Sequence, residues 1–185
     1  SRRRGFSRTE LALLTDGLRA EREQGITIDV AYRYFRTAKR RFIVADTPGH
    51  EQYTRNMVTA ASQTDAAVVL VDASKIDTRA SRVALLPQTR RHILLAHLLR
   101  VPSLIFAINK LDAVDDPESA FERIRLALAD FVQEAGIEAR AMVPISALLG
   151  WNVVEPNPGW CNYLGPSLLS ILESVPNTPE DKQLP

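Results

Sequence analysis

The sequence predicts a doubly wound α/β fold on a mostly parallel sheet, and three observations carry that prediction. Two runs, Ala66-Ala67-Val68-Val69-Leu70-Val71-Asp72 and Ser103-Leu104-Ile105-Phe106-Ala107-Ile108-Asn109-Lys110, are almost wholly apolar and then stop at polar residues. A strand apolar on both sides belongs in a sheet covered on both faces, the usual setting of parallel strands. Helical patterns alternate with these runs, which implies crossover connections within one open sheet. The composition agrees: 45% apolar and 24% charged residues in a chain of 185 suit one folded domain and exclude a disordered one.

Each element follows from its local pattern. Asp29 to Phe35 alternates between polar and apolar residues, as a strand with one wetter face near a sheet edge does. Its Tyr32, Tyr34 and Phe35 are read as sheet packing rather than as a partner surface. Arg41-Phe42-Ile43-Val44-Ala45-Asp46 reads as a strand of the covered kind. A helix is expected over Gln52 to Ser62, and another over Gln88 to Leu99. The longest helix, Pro117 to Glu134, carries Phe121, Ile124, Leu128 and Phe131 on one stripe. Asp116 is its expected cap, Pro117 suits the first helical position, and Gly136 is placed to end it. Ala141-Met142-Val143-Pro144-Ile145 is a weaker strand, and Pro166 to Glu173 a short helix. Residues 1–175 therefore make one domain, and 176–185, with prolines and acidic residues, an exit linker toward a further domain.

Charge and cysteine content narrow the partners. Lys+Arg 23 against Asp+Glu 22 leaves a net charge of +1, which excludes a strongly basic nucleic-acid-binding domain. Arg2, Arg3, Arg4 and Arg8 make only a small basic start. The single cysteine, Cys161, excludes an internal disulfide and a cysteine-based zinc cluster, and fits a reducing cytoplasm. No apolar run approaches the roughly 18–20 residues that span a bilayer, so no membrane role is expected. His92 and His97 have a spacing that does not suit two ligands on one helix face, and they read as structural.

In doubly wound sheets the ligand sits at the carboxyl ends of the strands, so the polar residues that stop each strand are where chemistry is expected. Asp46-Thr47-Pro48-Gly49 puts a carboxylate at a strand end, three residues before a glycine. Asp46 can hold Mg²⁺ through a water, and a backbone without Cβ at Gly49 can approach a terminal phosphate. Asn109-Lys110-Leu111-Asp112 follows another strand. Guanine presents N1–H and N2–H₂ as adjacent donors, and the Asp112 carboxylate can accept both, whereas adenine would leave it unpaired. The Lys110 stem can cover the base while its ammonium stays wet, and Asn109 is expected to tie the loop to the phosphate side. Ser146-Ala147-Leu148 ends the strand from Ala141; its N–H groups can meet guanine O6, and the serine can brace the loop. Gly25-Ile26-Thr27 offers a threonine hydroxyl that can reach Mg²⁺ only while a terminal phosphate is present, which makes a switch. Each segment alone is equally an ordinary turn; their order, with three of the four at strand ends, is what points to a nucleotide.

At these residues the chain resembles the translation-factor branch of the P-loop GTPases. Asp46-Thr47-Pro48-Gly49-His50-Glu51-Gln52-Tyr53, with Asn56-Met57 after it, is similar to the elongation-factor switch II. There the histidine after the glycine orients the attacking water, so the resemblance makes His50 the catalytic residue. Ala20 to Phe35 together with Gln88-Thr89-Arg90-Arg91-His92 resembles the GTPase subunits of bacterial sulfate adenylyltransferases, over roughly Leu11 to Val175. That resemblance implies GTP and GDP as ligands, held by Asp46, Thr47, Pro48, Gly49, His50, Asn109, Lys110, Leu111, Asp112, Ser146, Ala147 and Leu148. It implies Mg²⁺ at Thr27 and Asp46. It further implies that GTP hydrolysis drives formation of adenosine 5′-phosphosulfate from ATP and sulfate. The adenylyl transfer would lie on a small, ATP-sulfurylase-type partner subunit, and some relatives carry a fused adenylylsulfate kinase.

Two departures accompany the resemblance. The phosphate-binding loop GxxxxGK[ST] is missing, since none of the eight glycines is followed by lysine. The first strand and helix of the fold are absent with it, and the chain is expected to begin after that loop. Ser74 to Pro87 is also longer than the family's usual connection, a length that loops accept cheaply. Trp151 to Tyr163 is read as a packed surface loop. The rival readings are a translation elongation-type GTPase and a nucleotide-free scaffold of the same fold.

Overall fold

Aromatic and β-branched residues through 31–46 form a β-hairpin. This computed structural model describes residues 30–47, 54–61 and 64–176, and the chain divides into two units between Ala60 and Ala61. In the first unit β1 (Ala31–Arg36) pairs antiparallel with β2 (Arg41–Asp46), from Ala31↔Asp46 to Arg36↔Arg41. The Thr37 hydroxyl closes the turn by accepting the N–H groups of Lys39 at 3.2 Å and Arg40 at 3.1 Å. Phe35 and Phe42, opposite each other in the register, stack with centroids 4.7 Å apart. Helix α1 (Thr54–Ala61) follows; Gln52, Tyr53 and Ser62, expected in this helix, lie outside the described residues, as does Asp29 of the expected first strand.

Two expectations change here. β2 was expected in the covered sheet, but it belongs to a two-stranded antiparallel one, with Ile43 and Val44 exposed. Tyr32 and Tyr34, expected to pack, are 54% and 74% exposed. An apolar run of four residues suits a buried strand and a ribbon strand equally; the partner is set by the turn at Thr37–Arg40, which periodicity does not report.

The second unit is a parallel sheet in the order β3-β4-β5, made of β3 (Ala66–Asp72), β4 (Ser103–Asn109) and β5 (Ala141–Pro144). Helices α2 (Pro87–Leu98), α3 (Pro117–Glu134) and α4 (Leu168–Glu173) connect and cover it. On one face Val69, Val71, Leu104, Phe106 and Ile108 meet Ile93 and Ala96 of α2 and Phe121, Ile124 and Leu128 of α3. On the other, Ile105, Ala107, Val143 and Ile145 meet Ile171 and Val175. The double winding predicted from the apolar runs is therefore present. Each of the Val, Leu, Ile and Phe side chains among these contributes about 1.5–3 kcal/mol of transfer free energy when fully buried.

Only the central strand is covered throughout. Residues 103–108 of β4 are all buried, whereas Val68 and Leu70 of β3 are exposed, against the expectation that both runs are covered on both faces. The second cluster centres on β4 and β5 and reaches β3 only at Ala66. Position in the sheet decides cover, and two equally apolar strings take different positions.

The end of each helix follows its sequence signal. The Asp116 carboxylate accepts the Ser119 N–H at 3.1 Å at the start of α3, and Gly136, at φ +65°, follows its last turn. Of the α3 stripe Phe131 is only half-buried, with the Arg90 guanidinium 5.1 Å above its ring, and Val132 is buried instead. Helix α4 begins at Leu168 rather than Pro166, because Ser167 caps it: its Oγ accepts the Ser170 N–H at 3.3 Å. The long connection after β3 is fastened near its middle, where Arg79 pairs with Asp115 and Arg123 donates to the Ala80 carbonyl. Among the described residues no helix is long and apolar enough to cross a membrane.

Candidate functional site

β4 and β5 are parallel neighbours, so the residues that leave them emerge from one edge of the sheet. The register ends at Ile108↔Pro144, which puts Asn109 and the Ser146 turn just past the last rung. There the Asn109 Oδ1 accepts the Ala147 N–H at 3.0 Å. The NKLD and SAL segments are thus joined by a hydrogen bond. Ser146 is buried and braces the turn: its Oγ accepts the Leu149 N–H at 3.1 Å, and its carbonyl accepts the Gly150 N–H at 2.8 Å. Gly150 stands at φ +79°, a backbone that side chains rarely adopt.

Behind NKLD the chain turns sharply. Lys110 adopts the left-handed conformation at φ 64° and ψ 26°, and Leu111, fully buried, anchors a 3₁₀ turn over Leu111–Ala113. The turn leaves Asp112 half-buried, with a carboxylate that makes no hydrogen bond or ion pair among the described residues. The Lys110 ammonium reaches Asp72, at the end of β3, with Nζ 2.7 Å from Oδ2. Burial raises the Asp72 carboxyl, but the hydrogen bonds from Lys110 and Ser74 outweigh it and hold the group below the usual carboxylate range.

Three details differ from the sequence reading. The Asn109 Oδ1 is taken up by Ala147, whose N–H is expected at guanine O6. The Lys110 side chain is half-exposed, as expected, but its ammonium is also ion-paired to Asp72, which was not expected. Asp72 and Asn152 were not singled out. Asn152 is fully buried at φ 54°; its Nδ2 donates to the Pro144 carbonyl at 3.0 Å and its Oδ1 accepts the Asn157 N–H at 2.6 Å, so it holds the loop after β5 to the strand end. Asp72 is itself the polar residue that stops an apolar strand, so the rule that found Asn109 applies to it as well. Nothing local marks Asn152.

Asp46 and Thr47 lie at the end of β2 in the first unit. The Asp46 carboxylate is exposed and makes no hydrogen bond or ion pair among the described residues, so it fits the hard oxygen donor that Mg²⁺ takes. Thr27, Pro48, Gly49 and His50 lie outside the described residues. No group of three or more His, Cys, Asp or Glu positioned for a metal occurs among the described residues. Leu148 is exposed beside Ala147, and Cys161 is buried against the Pro117 carbonyl, with Sγ at 3.5 Å.

A parallel sheet wound on both faces, with NKLD and SAL locked together at adjacent strand ends, defines a GTP-binding domain of the P-loop GTPase class. The chain belongs to the family of elongation factor Tu GTP binding domains, which it matches over residues 2–177. It is 52% identical over 166 residues to sulfate adenylyltransferase subunit 1 of Aeromonas hydrophila, covering 90% of this chain and 33% of that protein. It is 50% identical over 176 residues to the bifunctional enzyme NodQ of Rhizobium sp. (strain BR816), covering 95% and 26%. The chain thus spans about a third or less of the curated relatives it matches. The crystal structure of a bacterial selenocysteine-specific elongation factor, EF-Sec, aligns with a TM-score of 0.66 at 25% identity, over 88% of this chain and 25% of that one.

Proposed function

We propose that this chain is the GTP-binding and GTP-hydrolysing part of a sulfate adenylyltransferase, coupling hydrolysis to formation of adenosine 5′-phosphosulfate from ATP and sulfate in the cytoplasm. The observation that carries the nucleotide part is the Asp112 carboxylate, without a partner among the described residues, in the same loop as the Asn109–Ala147 hydrogen bond. The names and identities of the curated relatives support the sulfate part.

On this reading Asp112 accepts the guanine N1–H and N2–H together, and Asn109 holds the SAL turn against the base loop. The apolar stem of Lys110 lies along the base. His50 orients the water that attacks the γ-phosphorus; the P–O bond to GDP breaks, and inorganic phosphate leaves. Mg²⁺, held by Asp46 and Thr27, would neutralise charge on the phosphates. Formation of the phosphate–sulfate anhydride is steeply uphill, so hydrolysis must bias a small adenylyltransferase partner between states of different affinity. A relative named as a bifunctional enzyme fits a second activity on the natural polypeptide, and the family resemblance makes an adenylylsulfate kinase the candidate.

The test is production of adenosine 5′-phosphosulfate by the natural full-length protein with its small subunit. GTP should raise the yield severalfold over GDP or a non-hydrolysable GTP analogue. Equal yields with all three would remove the coupling. GTPase activity stimulated by ribosomes alone would favour the elongation-factor reading instead.

A further inference from the structure

We infer that Asp72 is a positioning residue for nucleotide binding, acting through Lys110; this rests on the guanine site proposed above. Asp72 ends β3 and stands beside Asn109 in the parallel register. Its two oxygens are divided between two tasks. Oδ1 accepts both the Ser74 N–H at 3.1 Å and the Ser74 hydroxyl at 2.6 Å, which fixes the carboxylate on its own 3₁₀ turn. Oδ2 accepts the Lys110 ammonium at 2.7 Å.

The lysine has reason to need such a partner. Four methylenes carry about 2 kcal/mol of rotamer entropy, and a lysine that covers a base must lie in one direction. The left-handed backbone at Lys110 sets where its Cβ leaves the chain, and Asp72 holds the other end of the side chain. The stem between them spans from the tip of β4 toward the tip of β3. An aspartate anchored on its own turn is a fixed point, whereas water is not. Binding to a lysine already held in place loses less entropy on association. The Lys110 side chain is 52% exposed and that of Asp72 22%, so the pair is wet enough to exchange but sheltered on the acid side.

Equilibrium titration of a fluorescent GDP into the natural full-length protein tests this through four single substitutions and one double variant. Asp72→Asn keeps an acceptor for Ser74 and loses the ion pair; it should weaken GDP binding by roughly threefold to tenfold. In a Lys110→Ala background the same change should cost nothing further, because its effect runs through the lysine. Raising salt to about 1 M should narrow the gap between wild type and Asp72→Asn. Equal losses in both backgrounds, or a gap indifferent to salt, would mean that Asp72 only caps its turn, and would overturn the inference. Asp72→Glu retains the charge and should bind within about twofold of wild type; a loss as large as that of Asp72→Asn counts against the ion pair even if the asparagine variant folds poorly. Asp112→Asn keeps the two readings apart. If it and Lys110→Ala both leave GDP binding unchanged, the guanine site itself is wrong. If both weaken binding while Asp72→Asn does not, only the role of Asp72 falls.

Discussion

The Asn109 Oδ1 accepts the Ala147 N–H across 3.0 Å, closing a ring through the ends of two neighbouring strands. A side chain 38 positions away thus satisfies a backbone donor in the SAL turn, and the NKLD loop is tied to the end of the following strand. Asn109→Ala removes the acceptor. It should cost about 1 kcal/mol of stability by chemical denaturation. Guanine-nucleotide affinity should fall roughly tenfold, because the turn is no longer held. A loss of stability with full affinity would separate this hydrogen bond from the site.

Asp112 has no partner among the described residues, which leaves its pairing capacity for the proposed ligand. Asp112→Asn replaces one acceptor oxygen by an NH₂ donor and should move preference from guanine toward a base with an acceptor where guanine has N1–H. Competition between GDP and XDP measures this; a change of roughly 10²-fold or more in their ratio is expected. Unaltered guanine selectivity would remove Asp112 from base recognition.

His50 follows the DTPG segment, and its proposed work is to orient water rather than to hold nucleotide. His50→Ala should slow single-turnover GTP hydrolysis by roughly 10²-fold while leaving GTP affinity within about twofold. Turnover equal to wild type would remove it from the mechanism.

The Cys161 thiol is pushed up from 9.0 to about 12, chiefly by burial, with the charges of Glu118 and Asp116 adding to it. Folding therefore disfavours the thiolate. Below pH 9.0 the residue is neutral in both states and has no effect; as pH rises from there toward 12 the unfolded chain ionises first and stability falls. The denaturation midpoint should drop over that window, and Cys161→Ala should drop less. At pH 8 an aromatic disulfide reagent should label the folded protein slowly and the unfolded protein at once. Rapid labelling of folded protein would contradict the burial.

Much of the fold was legible in particular residues. Asp116, Pro117 and Gly136 mark the ends of α3 because capping is local chemistry, decided within four residues of each end. The stops at Asp72 and Asn109 fell where β3 and β4 end, because an apolar run persists only while the strand stays in the sheet. Val68 and Leu70 were not legible in this way. They carry the same apolar character as Ile105 and Ala107 but meet water, since a one-dimensional string does not record which strand is central. Likewise Tyr32 and Tyr34 suit packing and exposure equally until neighbours are assigned.

The sequence by itself determined the order of strands and helices, the parallel class of the main sheet and where its strands stop, because apolar period, caps and turn residues act over a few neighbours. Tertiary structure alone decided that β2 pairs with β1, that Asn109 holds Ala147, and that Lys110 rests on Asp72. The last two contacts each join residues 38 positions apart. Such a bond depends on where the parallel register stops, and the packing of the whole sheet sets that point.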